Sequence, residues 1–128
     1  TNMGDYCQVR ANHLGWMLAQ ESQKPTVLFM HHPPFEVIDS KYPFQFEHWN
    51  TVDHLSHVLA QNSQVKQLFC GHTHRNSNGQ ILGIPASTVP SVAVDLRFGN
   101  VPDGAELRPI YHLHQFDGQQ FQSKTVVC

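Results

Sequence analysis

Between residues 10 and 22, Leu14, Met17, Leu18 and Glu21 stand at helical spacing, which predicts a first helix. Pro25 ends the loop after it. Residues 26–30 (Thr-Val-Leu-Phe-Met) are apolar without alternation, as expected of a strand central in a sheet. Pro33-Pro34 then forbids both strand and helix. Residues 35–49 show no period and carry Phe35, Tyr42, Phe44, Phe46 and Trp49. They read as a long loop, serving either as a substrate wall or as a surface loop around its own small core. A second helix begins with Asn50 or Thr51 as its cap, and Asp53 in its first turn suits the helix dipole. Its buried face is Val52, Leu55, Val58 and Leu59.

Residues 65–70 predict a second buried strand, and Asn76-Ser77-Asn78-Gly79 reads as a turn. Beyond Gly79 the pattern turns to strands alone, at 81–84, 91–98, 109–116 and 119–127. Within 91–98, Val92, Val94 and Leu96 alternate with Ala93, Asp95 and Arg97. Asp117-Gly118 is a hairpin signal between the last two. Helices early and strands late give an α+β class.

With 128 residues, the chain is long enough for one hydrophobic core. Hydrophobic residues make up 40% and charged residues 14%, so one face of this piece is expected to pack against further protein. A net charge of −2 leaves no electrostatic footprint for a nucleic acid polymer. No apolar run is long enough to span a bilayer, so no membrane partner is expected. Cys7, Cys70 and Cys128 are odd in number and lack metal-like spacing, so a reduced, cytoplasmic setting is expected. Cys70 reads as a small buried strand residue.

Chemistry enters at the ends of the two apolar strands. His31-His32-Pro33-Pro34 follows the first, and Gly71-His72-Thr73-His74 follows the second. Two histidines one residue apart cannot share a helix face, but in a tight loop both can turn toward neighbouring metal ions. Neutral imidazole suits zinc, iron and nickel. The other histidines read more plainly. His54 and His57 sit three apart on the second helix with no third ligand beside them, and are expected to be solvated. His112 and His114 are assigned to the solvent face of the last hairpin.

These two motifs resemble the calcineurin-like metallophosphoesterases, in particular the cyclic-nucleotide and glycerophosphodiester phosphodiesterase branch. That family runs through Asp-x-His, Gly-Asp, Gly-Asn-His-Asp/Glu, a His before another His or Tyr and Pro, and finally Gly-His-x-His. His31 matches the fourth element and His72 with His74 the fifth. The first three are not found. Gly4-Asp5 precedes the first helix and so is out of place, and Asn12-His13 lacks both the Gly and the acid. Residues 1–128 therefore resemble the C-terminal portion of one such domain. The implied fold is the C-terminal half of a metallophosphoesterase-type two-sheet sandwich flanked by helices.

The resemblance implies two divalent or trivalent ions (Mn, Fe or Zn). His31 and His72 would serve one ion and His74 the other, with bridging carboxylates from elements absent here. His32 would touch substrate or orient His31, and Arg75 is a candidate for a phosphate. The small residues 84–88 would let the backbone pass close beneath the site. The implied activity is metal-dependent phosphoester hydrolysis on a small phosphodiester, a cyclic nucleotide or glycerophosphodiester. Phosphomonoester hydrolysis and a non-catalytic metal- or partner-binding domain stay open as alternatives, and a homo-oligomer is compatible with each.

Overall fold

The computed structural model describes residues 2–128. Its α-helices are α1 (Gln8–Ala19) and α2 (Val52–Ala60). Its strands are β1 (Thr26–Met30), β2 (Val65–Cys70), β3 (Ser77–Ile81), β4 (Ile84–Thr88), β5 (Ile110–Phe116) and β6 (Phe121–Val127). This is the α+β class expected. Four strands form a mixed sheet in the order β1-β2-β4-β3, and β5 and β6 form a separate antiparallel pair. β1 and β2 run parallel with Met30 opposite Cys70, so both strands end at the same level. A parallel pair needs a crossover, which α2 supplies. Among the described residues, no helix is long and apolar enough to cross a membrane.

The core lies on the helix side of the sheet. Leu18 of α1, Leu55 and Leu59 of α2, and Val65, Leu68 and Cys70 of β2 are all buried there, with Leu28 and Met30 of β1 packed against them. The face predicted for α2 is the one it buries: Val52, Leu55 and Leu59 are enclosed and Val58 is packed against the core. The cap differs. One 3-10 turn, Trp49–Thr51, leads into α2, and the Thr51 hydroxyl donates to the His48 carbonyl (2.8 Å) rather than capping the helix. α1 starts and stops earlier than its spacing suggests. Leu18 is buried, but Glu21 lies beyond the helix and pairs with Lys24 at 2.8 Å.

Several local expectations are corrected. β1 is not central: it pairs with β2 alone, and Phe29 on its hairpin-side face is 73% exposed. Its apolar run reflects packing of Leu28 and Met30 on the helix side rather than burial of both faces. Residues 76–79 are not a turn; all but Asn76 belong to β3. Gly79 is there for packing, because a Cβ at this position would lie 2.2 Å from the buried Phe35 ring. The strand expected at 81–84 is instead the turn: Leu82-Gly83 lies between the paired residues Ile81 and Ile84, with φ of +51° and +78°. Two positive φ values in a two-residue loop match the strand twist.

Residues 91–98 form no strand, only a 3-10 turn at Val94–Leu96. Arg97 accounts for this. Its Nε donates to the Ser91 carbonyl (3.0 Å), Nη1 to Ala105 (2.9 Å), and Nη2 to Val92 (3.4 Å) and Arg108 (2.9 Å). A guanidinium that gathers four carbonyls curls the chain around itself instead of letting it extend.

The β5–β6 hairpin, with Asp117 Oδ1 accepting from the backbone N–H groups of Gln119 and Gln120, matches its sequence signal. Its facing does not. His112 and His114 are half-buried, while Tyr111 and Leu113 point to solvent. His114 stacks on Phe69 of β2 at 3.7 Å, and Phe121 meets the same ring edge-on at 5.6 Å. The hairpin thus closes over the sheet face opposite the helices. Burial pushes both imidazoles below their ordinary pKa, with His112 adding a smaller downward push on His114.

Two substitutions test these backbone readings by urea unfolding. Leu82 occupies a left-handed position that Asn tolerates better, so Leu82→Asn should raise stability by about 0.5–1 kcal/mol. Gly79→Ala should lower it by about 1–3 kcal/mol through overpacking against Phe35.

Candidate metal centre

Parallel pairing of β1 with β2 sets the site. The backbone ladder runs one step past the strands, where the Gly71 N–H donates to the His31 carbonyl at 3.0 Å. The two motif loops therefore leave the sheet side by side. A Cβ at Gly71 would make only ordinary contact with His31 Nδ1, at 3.6 Å. The Thr73 N–H then donates to the Gly71 carbonyl (2.8 Å) across His72, whose φ is +65°. A bond from residue i+2 to i over a positive φ is a strained γ-turn. His74 is also left-handed, at φ +54°. Two non-glycine residues in this region within three positions mark stored strain, which clusters at functional sites. The buried Thr73 hydroxyl between them has no hydrogen-bond partner.

The result is an open cleft of about 410 Å³ lined by Asn2, Met3, His31, His32, His72 and His74. His72 Nδ1 and His31 Nε2 are 3.1 Å apart. The His32 ring lies 4.1 Å from that of His72 and 4.9 Å from that of His31, centroid to centroid. One nitrogen from each of His31, His32 and His72 falls within 4.8 Å of the others. Partial burial lowers the pKa of His31 and His72, and the neighbouring imidazoles push in the same direction. Their neutral, lone-pair form is the one that binds metal.

His74 shares the cleft but is held from the other side. Its Nδ1–H donates to the Leu96 carbonyl at 2.9 Å, and its ring lies parallel to Phe98 at 6.4 Å. That bond fixes the tautomer and leaves Nε2 with a free lone pair, as is usual for a histidine that holds metal. Arg75 is turned away from the cleft. Its guanidinium donates to the Asp39 carbonyl and lies over Phe98 at 5.7 Å, joining loop 35–49 to the segment beside His74. Burial pushes the Cys70 thiol up to about 12, so it is inert, and the three cysteines form no disulfide.

Loop 35–49 splits its apolar residues between the main core and the surface. Phe35, Val37 and Phe46 join the main core, while Tyr42, Phe44 and Trp49 remain exposed, with Phe44 and Trp49 rings 4.7 Å apart. The Val37 N–H donates to the Pro43 carbonyl (2.9 Å) and pinches the loop closed. The segment around Gly4 is tied to it: the Gly4 N–H donates to Gln45 (2.9 Å), and the Glu47 N–H to Gly4 (3.1 Å). This tie brings Gly4 against His32, where a Cβ would lie 2.9 Å from the ring's Cγ.

The residues least visible in sequence are Gly4, Asn2 and the 96–98 segment, all brought to the cleft by backbone contacts between distant parts of the chain. His32 carried one signal, its place before Pro33, which biases it to extended backbone and away from helix.

No protein-family model matches the chain. Three curated relatives do. A cAMP/cGMP dual specificity phosphodiesterase of Mycobacterium tuberculosis is 34% identical over 85 residues, 62% of this chain and 25% of the relative. A protein named "Probable cyclic nucleotide phosphodiesterase" from Rhodopseudomonas palustris is 32% identical over 102 residues, 79% of this chain and 36% of the relative. The glycerophosphodiester phosphodiesterase GpdQ of Enterobacter lignolyticus is 26% identical over 123 residues, 88% of this chain and 42% of the relative. The match thus spans between 25% and 42% of the length of these relatives. The resemblance read from the two histidine motifs holds, and over that part of their length the chain is a relative of metallophosphoesterase-type phosphodiesterases.

Proposed function

We propose that this chain contributes the histidine side of a dinuclear metal centre in a phosphodiester hydrolase. The carrying observation is the 3.1 Å approach of His72 Nδ1 to His31 Nε2 at the ends of two parallel strands. The donor set fits a metal ion of the zinc, iron or nickel kind, being made of neutral imidazoles in an open polar cleft. His31 and His72 would hold one ion and His74 the other. Bridging carboxylates would come from family elements not found among these 128 residues. When bound, such a pair of ions supplies Lewis acidity toward phosphoryl oxygens and lowers the pKa of a water molecule.

The chain's own residues do the positioning. Leu96 orients His74, the β1–β2 register fixes His31 against His72, and the exposed Phe44 and Trp49 rings offer an apolar surface on loop 35–49. The substrate class we assign is a small phosphodiester, a cyclic nucleotide or a glycerophosphodiester. This rests on the activities for which the three relatives are named.

A second reading has one observation in its favour. No carboxylate lines the cleft, so the 128 residues alone read as a metal-binding unit without catalytic power.

Hydrolysis of bis-p-nitrophenyl phosphate, cyclic AMP and p-nitrophenyl phosphate by the full-length gene product separates these readings. Metal-dependent turnover of the diesters is expected, with the 128-residue chain alone nearly inert. His74→Ala should remove most of the activity, whereas His57→Ala, on the exposed face of α2, should leave it unchanged. Equal losses from the two substitutions in folded protein would place the site elsewhere. Monoester turnover without diester turnover would overturn the substrate class.

A further inference from the structure

We propose that the β5–β6 hairpin is an acid-released cover, docked on the outer face of the sheet while His112 and His114 are neutral and lifted from it when they take up protons. The device needs neither the metal centre nor the proposed hydrolysis.

The face that the hairpin turns to the sheet carries both imidazoles. Cross-strand pairing sets His112 opposite Thr125 and His114 opposite Ser123, on the side shared by Ile110 and Phe121. The His114 ring stacks on Phe69 at 3.7 Å, and its Nδ1 shares a 2.7 Å hydrogen bond with the Ser123 hydroxyl. His112 faces a cavity of about 130 Å³ closed by Asn76, Asn78, Ser87, Ser123 and Thr125. Its Nε2 is buried and has no hydrogen-bond partner among the described residues.

Nothing at this interface balances a proton on either ring. The neighbouring cavity, of about 590 Å³, adds three titratable groups: Tyr111 of the hairpin, Cys70 of β2 and His31 after β1. The Cys70 thiol, pushed up to about 12 by burial, stays neutral. His31 makes its ring contacts with His32 and His72, and a proton there would add positive charge rather than offset it. β3, β4 and the segment after β4 line the two cavities with uncharged side chains. The hairpin's own charges lie elsewhere, Asp117 in the exposed turn and Lys124 beside Leu113 on the solvent face. Among the described residues, no carboxylate lines either cavity.

A buried imidazolium without a counter-charge is unfavourable, and a second proton meets the first across rings 5.9 Å apart. Burial accordingly holds both imidazoles below the ordinary value of 6.5. The docked state therefore binds fewer protons than the released one. Docking is at full strength above about pH 6.5 and weakens as the pH falls below it, by about tenfold per pH unit for each imidazole between its released and docked pKa. A two-stranded hairpin is marginal by itself, so once lifted it also frays and opens both cavities to water.

Proton NMR of the wild-type protein from about pH 7.5 to about pH 5 tests this across the range where histidine titrates. The ring contacts of Phe69 with His114 and Phe121 should be lost in step with titration of His112 and His114. Contacts among Leu55, Leu59 and Leu68 in the helix-side core should persist. A variant carrying His112→Gln and His114→Phe keeps a ring on Phe69 and removes both titrations, so its Phe69–Phe121 contact should survive to about pH 5. Circular dichroism at neutral pH shows whether that variant is folded; if it is not, the wild-type spectra decide alone. A Phe69–Phe121 contact that survives in wild-type protein after both imidazoles are protonated would overturn the inference. Loss of the helix-side contacts at the same pH would overturn it too, since acid would then unfold the whole chain. So would release of the folded double variant at the wild-type pH.

Discussion

The site depends on one constraint, the parallel register that sets Met30 opposite Cys70. A shift of one residue would turn Leu28 and Met30 out of the helix-side core, so core packing holds the register firmly. Because the register is held, the two chain exits are held too. His31 and His72 therefore meet as a by-product of burying Leu28, Met30, Leu68 and Cys70. The hydrophobic effect does the positioning, and the imidazoles pay nothing for it in pairing of their own. Packing of Phe35 on Gly79, just after the two prolines, fixes the same exit from the other end.

Around that fixed point the electrostatics are unusual for their neutrality. Four histidines share one cleft with no acid among its lining residues. Burial, aided by the neighbouring imidazoles, discourages protonation of His31 and His72, so this pair favours a ligand that accepts lone pairs. The carbonyls of Asn2 and Leu96 take up the outward N–H groups of His32 and His74. Two backbone segments far from the strands thereby decide which nitrogen of each ring is available.

Much of the fold was legible in the sequence wherever a regular period coincided with burial. The β1 and β2 strands, the buried face of α2 and the Asp117-Gly118 hairpin all follow from local pattern. What was not legible came from side chains that act over distance. The alternation at 91–98 looked like a strand, but Arg97 collects carbonyls from Ser91 to Arg108 and winds the segment into a loop. Gly79 looked like a turn residue because the need for it lies in Phe35, 44 positions earlier. Alternation on β5 located two faces without telling which was inside. Phe69 decided that, by giving His114 a ring to stack on. For the candidate site, the histidine motifs were plain in sequence. The choice of His32 over His74 as the residue converging with His31 and His72 was not, because it turns on ring orientation and on Gly4.

The outer side of β1 has a consequence for handling the protein. Among the described residues, nothing pairs with that edge, and Thr26–Met30 carries no charge, no proline and an exposed Phe29. Stable proteins usually guard such an edge with lysine, a bulge or a covering loop. Left bare, it is a template on which another extended chain can grow. Colloidal behaviour should therefore depend on concentration, and a single lysine on the exposed side of β1 is the simplest gatekeeper against fibrous association.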